Sequence, residues 1–354
     1  MTERWIEPLG LLEGPAAFVA LRDGLALPLQ GGHLAFPLAR LIEDGTARGV
    51  VPAAAIPEDW QDLLPPLIRP LPPFAGLAPR LPGCPLVMGI VNVTPDSFSD
   101  GGETAEAAAA IARGHAMLEA GADILDIGGE STRPGADPVS PGEEIRRILP
   151  VVRDLARAAP VSVDTRHAAT MAAALEAGAE IVNDITALRH DGGALRVVQA
   201  AAAPLVIMHM PGTDPRSMQA EARYGDVVLE VARFLRDRVA TLQRLGIPRA
   251  RIAIDPGIGF GKTMEHNLAL LERLPLLAGI GCPVLVGLSR KRFLGRLTGI
   301  EAAGERLVPS LAGALFAASR GAAILRVHDV AETFQALAMW RAAAAGAAPA
   351  SRTG

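Results

Sequence analysis

From Leu86 onward the chain keeps a beat. Short apolar runs at 86 to 91, 123 to 128, 160 to 164, 181 to 185, 204 to 208, 251 to 254, 283 to 288 and 323 to 327 alternate with segments rich in Ala, Leu, Glu and Arg. Eight strands alternating with helices over about 250 residues is what a parallel (β/α)8 barrel of the TIM type requires. The runs are continuously hydrophobic, as expected of a sheet covered on both faces. A doubly wound open sheet is the competing arrangement, but its glycine fingerprint after the first strand is missing.

Residues 1 to 80 follow a different rule. Short apolar pieces such as Ala16 to Leu21 are broken by Gly31-Gly32, and Pro-Pro steps at 65–66 and 72–73 fix φ and forbid long helices or central strands. The expectation is a small accessory region of strands and short helices ending in a stiff Pro-rich connector, then the barrel over 86–343, then a disordered Ala-rich tail over 344–354.

Composition excludes several classes. A net charge of −4 leaves no basic excess for a nucleic-acid face, though a small anion needs only a few placed cations. The acidic start MTERWIEPLG is no secretory signal, and the apolar stretch from Leu307 to Val327 is interrupted by Arg320, so it reads as buried helix and strand, not a membrane span. Cys84 and Cys282, each before a Pro, form no metal or redox pair and read as buried thiols in a reducing cytoplasm.

In a barrel of this kind the active site is built from the loops at the carboxyl ends of the strands. Those ends carry Asn92; Glu130 to Arg133; Asp164, Thr165 and Arg166; Asn183 and Asp184; His209; Asp255; Ser289, Arg290 and Lys291; and Arg326 to Asp329. Taken singly, Asp, Asn, Ser and Thr at such places are ordinary helix caps. A set of eight that includes Lys and Arg is not capping. Asp164, Asn183 and Asp255 suit the N–H groups of a polar heterocycle, while Arg133, Lys291, Arg326 and His328 suit a phosphate or diphosphate, with Asn92 able to meet a Mg²⁺ held mainly by that phosphate. Alternatives stay open: Asp255 before Pro-Gly reads equally as a turn residue, Arg326 as the ion-pair partner of Asp329, and His209 as a packed core histidine. The glycine-rich stretch Gly257 to Gly261 followed by Lys262 matches neither nucleotide-binding pattern.

These residues fall in motifs that resemble the dihydropteroate synthase family over 86–343: MGIVNVTPDSFSDGG at 88–102, DIGGESTRPGA at 126–136, SVDT at 162–165, IVNDI at 181–185, MHMPG at 208–212, DPGIGFGK at 255–262, GLSRK at 287–291 and RVHDV at 326–330. The resemblance implies an enzyme that joins 6-hydroxymethyl-7,8-dihydropterin diphosphate to 4-aminobenzoate with Mg²⁺, by departure of the diphosphate before attack of the arylamine. It further implies that Asp164, Asn183, Asp255 and Lys291 bind the pterin and that Asn92, Arg326 and His328 hold the diphosphate and metal. Phe98 and Asp100 in the opening loop and Thr132, Arg133 and Pro134 in the second would close over the site, Phe260 and Ser289 would line the arylamine pocket, and Asp164, Lys291, Asp100 and Arg133 would act on the reacting atoms. The opening loop is expected to be mobile until substrate binds, and a cytoplasmic homodimer is expected. Two other readings are a methyltetrahydrofolate-binding methyltransferase, which has no use for a diphosphate site, and a non-catalytic pterin-binding homologue, which has no use for Asp164 and Lys291 together.

Overall fold

The computed structural model describes residues 2–93, 102–131, 138–216, 218 and 222–346, without the side chains of 102–104. Its first part comprises β1 (Arg4–Leu9), α1 (Gly14–Arg22), β2 (Leu27–Pro28), β3 (Ala35–Phe36), β4 (Leu38–Glu43), β5 (Thr46–Pro52) and α2 (Leu64–Ile68). Strands β1, β4 and β5 form an antiparallel three-stranded sheet in that order, and β2 pairs with β3. The proline-dense stretch beyond β5 supports only α2 and short 3-10 segments, since proline cannot supply the N–H groups of a longer helix.

The second part begins with β6 (Leu86–Asn92), α3 (Gly102–Glu119), β7 (Ile124–Gly128), α4 (Pro141–Leu155), β8 (Val161–Asp164), α5 (Ala168–Glu176), β9 (Ile181–Asp184) and α6 (Ala194–Ala201). It continues with β10 (Leu205–Met208), α7 (Val227–Arg244), β11 (Ile252–Asp255), α8 (Met264–Glu272), β12 (Leu285–Val286), α9 (Arg292–Thr298), α10 (Leu307–Ser319), β13 (Ile324–Val327) and α11 (Val330–Ala345). Every strand falls on an expected apolar run. The run at 283–288 yields the shortest strand, because the chain turns away at Arg290, whose φ is 59°. The eight strands form one parallel sheet in the order β11-β10-β9-β8-β7-β6-β13-β12, and a single bridge between Ile254 and Val284 draws its two ends together into a barrel. Helix starts follow local chemistry: Ser140 caps α4 by accepting from the Glu143 N–H at 3.2 Å, and Asp226 caps α7 by accepting from Val228 and Leu229.

Inside the barrel, Leu86, Met88, Ile124, Ile181, Val206, Ala253, Leu285 and Ile324 pack into one buried cluster together with Phe74 from the connector. The strand residues in that cluster are the early ones, so Phe74 stops the amino end of the barrel. The rest of the first part packs against the segment before β12 and along α7. Gln30 donates to the carbonyls of Ala278 and Cys282, and Arg273 joins Glu7 of β1 at 2.6 Å to Asp226 at 2.9 Å. Helix α11 continues to Ala345, two residues into the stretch expected to be tail, while 347–354 lie outside the described residues. Among the described residues no helix is long and apolar enough to cross a membrane, and the stretch from Leu307 to Val327 forms α10 and β13.

Candidate active site

Side chains alternate along a strand, so the polar residues at each carboxyl end divide between the barrel interior and the surrounding helices. Asp126, Asp164, Asn183, Asp255 and Arg326 face inward. The proof is contact across strands that are not neighbours: Asn183 on β9 donates from Nδ2 to Asp126 Oδ2 on β7 at 3.1 Å, over the intervening β8. Arg326 on β13 donates from Nε to the same oxygen at 2.5 Å and from Nη2 to Asp164 Oδ2 on β8 at 2.6 Å. The other oxygen of Asp126, Oδ1, is buried without a hydrogen-bond partner.

Other polar residues near the strand ends do structural work. Asp184 accepts from the Thr186 N–H and hydroxyl, each at 2.7 Å, and from the Leu188 N–H at 2.9 Å, holding a turn in which Ala187 and Leu188 both have positive φ. Thr165 donates to the fully buried Glu144 at 2.9 Å, and Arg166 grips Glu130 through two hydrogen bonds of 3.0 and 2.8 Å. The alternative of an Arg326–Asp329 ion pair is overturned: Asp329, beyond β13, is bound by Arg290, and Arg326 turns into the barrel because it shares the inward face of β13 with Ile324.

Opposing charges now sit in one mouth. Burial pushes the Asp164 carboxyl up to about 7 despite the Arg326 guanidinium, with Asp126 adding to the rise. Burial likewise raises Asp255, against the pull of Lys291. Asp255 also accepts from the Gly257 N–H at 2.6 Å, so the turn role foreseen for it holds alongside its place in the mouth. Burial lowers Lys291 to about 8, Asp255 partly restoring it; its Nζ donates to the Ile258 carbonyl and lies 4.5 Å over the Phe260 ring. Phe260 packs on an apolar wall of Ile185, Met208, Met210 and Met218, a surface suited to a flat ring. On the other side His328 Nδ1 lies 3.1 Å from Ser289 Oγ, and His328 N–H also donates to that hydroxyl, so Ser289 orients the histidine.

Asn92 is exposed at the end of β6, and its carbonyl accepts from Arg113 at 2.8 Å. Among the described residues no group of three His, Cys, Asp or Glu could hold a metal ion. Asn92 offers one side-chain oxygen, a hard ligand of the kind Mg²⁺ takes alongside substrate phosphate oxygens and water. Phe98, Asp100, Thr132, Arg133 and Pro134 lie outside the described residues, as does the mobility expected of the opening loop.

Two residues escaped the reading of strand ends. Asp126 sits inside the run Ile124-Leu125-Asp126-Ile127, and a carboxylate amid a buried apolar strand was the signal that marked it. Lys262 stood out only as a break in a glycine pattern. The glycines before it have a packing reason: a Cβ on Gly257 would fall 2.0 Å from the His209 carbonyl, and one on Gly261 2.5 Å from Pro211. His209 is the packed core histidine that one of its readings held, edge-on to Phe234 with centroids 5.0 Å apart.

A parallel barrel whose mouth sets inward carboxylates and an amide beside fixed cations is a pterin-binding enzyme, and the family model described as pterin binding enzyme matches residues 88–328. Dihydropteroate synthase of Neisseria meningitidis serogroup C is 49% identical over 262 residues, covering 73% of this chain and 92% of that one. The structure of Xanthomonas albilineans dihydropteroate synthase with 4-aminobenzoic acid is 52% identical, covers 75% of this chain and 94% of that chain, and superposes with a TM-score of 0.69. That of the Yersinia pestis enzyme with a sulfonamide drug is 42% identical over 75% of this chain and 98% of its own, with a TM-score of 0.70. The chain belongs to the dihydropteroate synthase family, transferases of folate biosynthesis.

Proposed function

We propose that this mouth joins the pterin diphosphate to 4-aminobenzoate by a dissociative substitution, with the diphosphate leaving before the arylamine attacks. The bond between the pterin methylene carbon and the diphosphate oxygen breaks, and its electron pair leaves with pyrophosphate. The arylamine nitrogen then forms the new C–N bond and releases a proton to solvent, giving 7,8-dihydropteroate. The carrying observation is the inward polar layer, in which Asp126, Asp164, Asn183 and Asp255 face Arg326 and Lys291 across one barrel.

In this reading Asp164, Asn183 and Asp255 accept from and donate to the pterin ring, and the carboxylates favour the cation developing on its methylene. Lys291 joins them on the pterin, and Arg326 and His328 stabilise the departing diphosphate. Mg²⁺, when bound, supplies further positive charge to that leaving group, with Asn92 the residue that would hold it. Phe260 forms one wall of the arylamine pocket. Phe98, Asp100, Thr132, Arg133 and Pro134 complete the closure that keeps water from the cation. The test is formation of 7,8-dihydropteroate and pyrophosphate by the purified chain given the pterin diphosphate, Mg²⁺ and 4-aminobenzoate; no dihydropteroate formed would remove the synthase reading.

The homodimer forms through α10. This helix carries no charged residue, and Val308, Ala312 and Phe316 recur every four positions on its outer face, with Val308 73% and Phe316 40% exposed and Leu297 of the neighbouring α9 54% exposed. Light scattering should give a dimer that Val308→Glu with Phe316→Glu converts to a monomer. The chain works in the cytoplasm, where its two free cysteines stay reduced; both are buried, which pushes the Cys84 thiol up to about 11 and Cys282 to about 12.

A further inference from the structure

Lys262 has no part in the contacts proposed for either substrate, yet only 5% of it is exposed. Its Nζ lies 3.0 Å from His209 Nδ1, 3.3 Å from the His209 carbonyl and 3.0 Å from the Phe260 carbonyl. An ammonium has three N–H donors, and these three acceptors use them all. None is a carboxylate, so burial pushes Lys262 down to about 7, with Asp255 only partly opposing. Burial and the neighbouring Lys262 in turn hold the His209 imidazole far below its ordinary value, to about 2, which leaves it neutral and able to accept.

The contacts join two segments. His209 directly follows β10, and Lys262 lies near the end of the loop that leaves β11 with Asp255 and carries Phe260. Close approach of the two depends on Gly257, which has φ of 68° and no room for a Cβ against the His209 carbonyl. On the far side of the loop, Lys291 donates to the Ile258 carbonyl and lies over the Phe260 ring. The backbone that presents Phe260 is therefore held by two ammonium groups: its own Lys262, which ties it to His209 after β10, and Lys291 at the start of α9.

We propose that Lys262 is a positioning residue for the arylamine: by fixing the Phe260 carbonyl to the end of β10, it sets the Phe260 ring against Lys291 and shapes that side of the pocket. The proposal rests on the assignment of Phe260 to the arylamine pocket. Displacement of a substrate-contacting group by an ångström is enough to cost large factors in rate or binding.

The test compares Lys262→Met, Lys262→Arg and Phe260→Ala in the full chain, with the KM of each substrate, kcat and thermal stability measured for all three. Lys262→Met, which keeps the length of the side chain and loses its donors, should raise the KM for 4-aminobenzoate about tenfold and that for the pterin diphosphate less than about threefold, with Lys262→Arg recovering part of the loss. An unchanged KM for the arylamine, or equal changes in both substrates, overturns the proposal and leaves Lys262 a structural residue. Should Lys262→Met not fold, Lys262→Arg carries the comparison: a rise of about threefold confined to the arylamine supports the proposal, and no change overturns it. If Phe260→Ala leaves the arylamine KM unchanged, the pocket assignment is wrong and the proposal falls with it; if Phe260→Ala raises that KM and the Lys262 variants do not, only the positioning role falls.

Discussion

Asp126 and Arg326 stand 200 positions apart in the chain and meet at 2.5 Å inside the barrel mouth. The same Asp126 oxygen accepts from Asn183, so one carboxylate ties the residue proposed for the leaving group to a residue proposed for the ring. Asp126→Ala should lower stability by about 3 kcal/mol, because it strips a buried charge of one partner while leaving it Asp164. It should also cut kcat/KM for the pterin diphosphate at least about tenfold, with Asp126→Asn intermediate. Urea unfolding and steady-state kinetics measure both, and wild-type kinetics in Asp126→Ala would separate this contact from function.

The mouth should titrate in a narrow window. Asp164 is raised to about 7 by burial and must be ionised to serve the ring, while Lys291 is lowered to about 8 by burial and must be charged to donate to the same ring. The value of kcat/KM for the pterin diphosphate should therefore rise with pH through about 7 and fall through about 8. Lys291→Arg should abolish the falling limb, since a guanidinium stays charged there. A flat profile across that range would detach both groups from the reaction.

The Yersinia pestis relative has been solved with a sulfonamide drug. A sulfanilamide carries the aniline and the para-placed acidic group of 4-aminobenzoate, so inhibition of this chain should be competitive with the arylamine. Phe260→Ala should weaken inhibitor and arylamine by similar factors, because the ring offers both the same face. Mixed inhibition, or loss of only one of the two, would place the inhibitor elsewhere.

Phe74 is 3% exposed and stops the amino end of the barrel, opposite the mouth. Phe74→Ala should cost about 3–5 kcal/mol of stability through the cavity left among the strand residues. The kcat at a temperature where the variant is folded should match the wild type. A changed kcat with unchanged stability would mean that residues 1 to 80 act on the chemistry, not as a brace beneath it.

The eight strands were legible because each is a local pattern: an apolar run of the right length bounded by turn-formers, repeated with helices between. The expected runs and the observed strands agree at β6 through β13, and Asp164, Asn183, Asp255 and Arg326 stand at strand ends as expected. The shortening of β12 was not legible, since it depends on the turn at Arg290, where the backbone N–H is held by Ser310 at 2.9 Å. Nor could Lys262 be read as a buried clamp, because its acceptors come from a strand end 53 positions earlier and from its own loop.

The sequence by itself determined the class of fold, the ends of the strands and the family, all of which rest on short-range periodicity and contiguous motifs. Tertiary structure alone decided the partners. Arg326 could have met Asp329, three residues on, and instead meets Asp126 and Asp164, because strand alternation turns it inward and barrel closure carries β7 and β8 around to face it. The same closure put Phe74 beneath the barrel, where it meets the first residues of the strands at the end opposite the mouth. Local pattern fixes which way a side chain points, but only the closed sheet fixes what stands opposite.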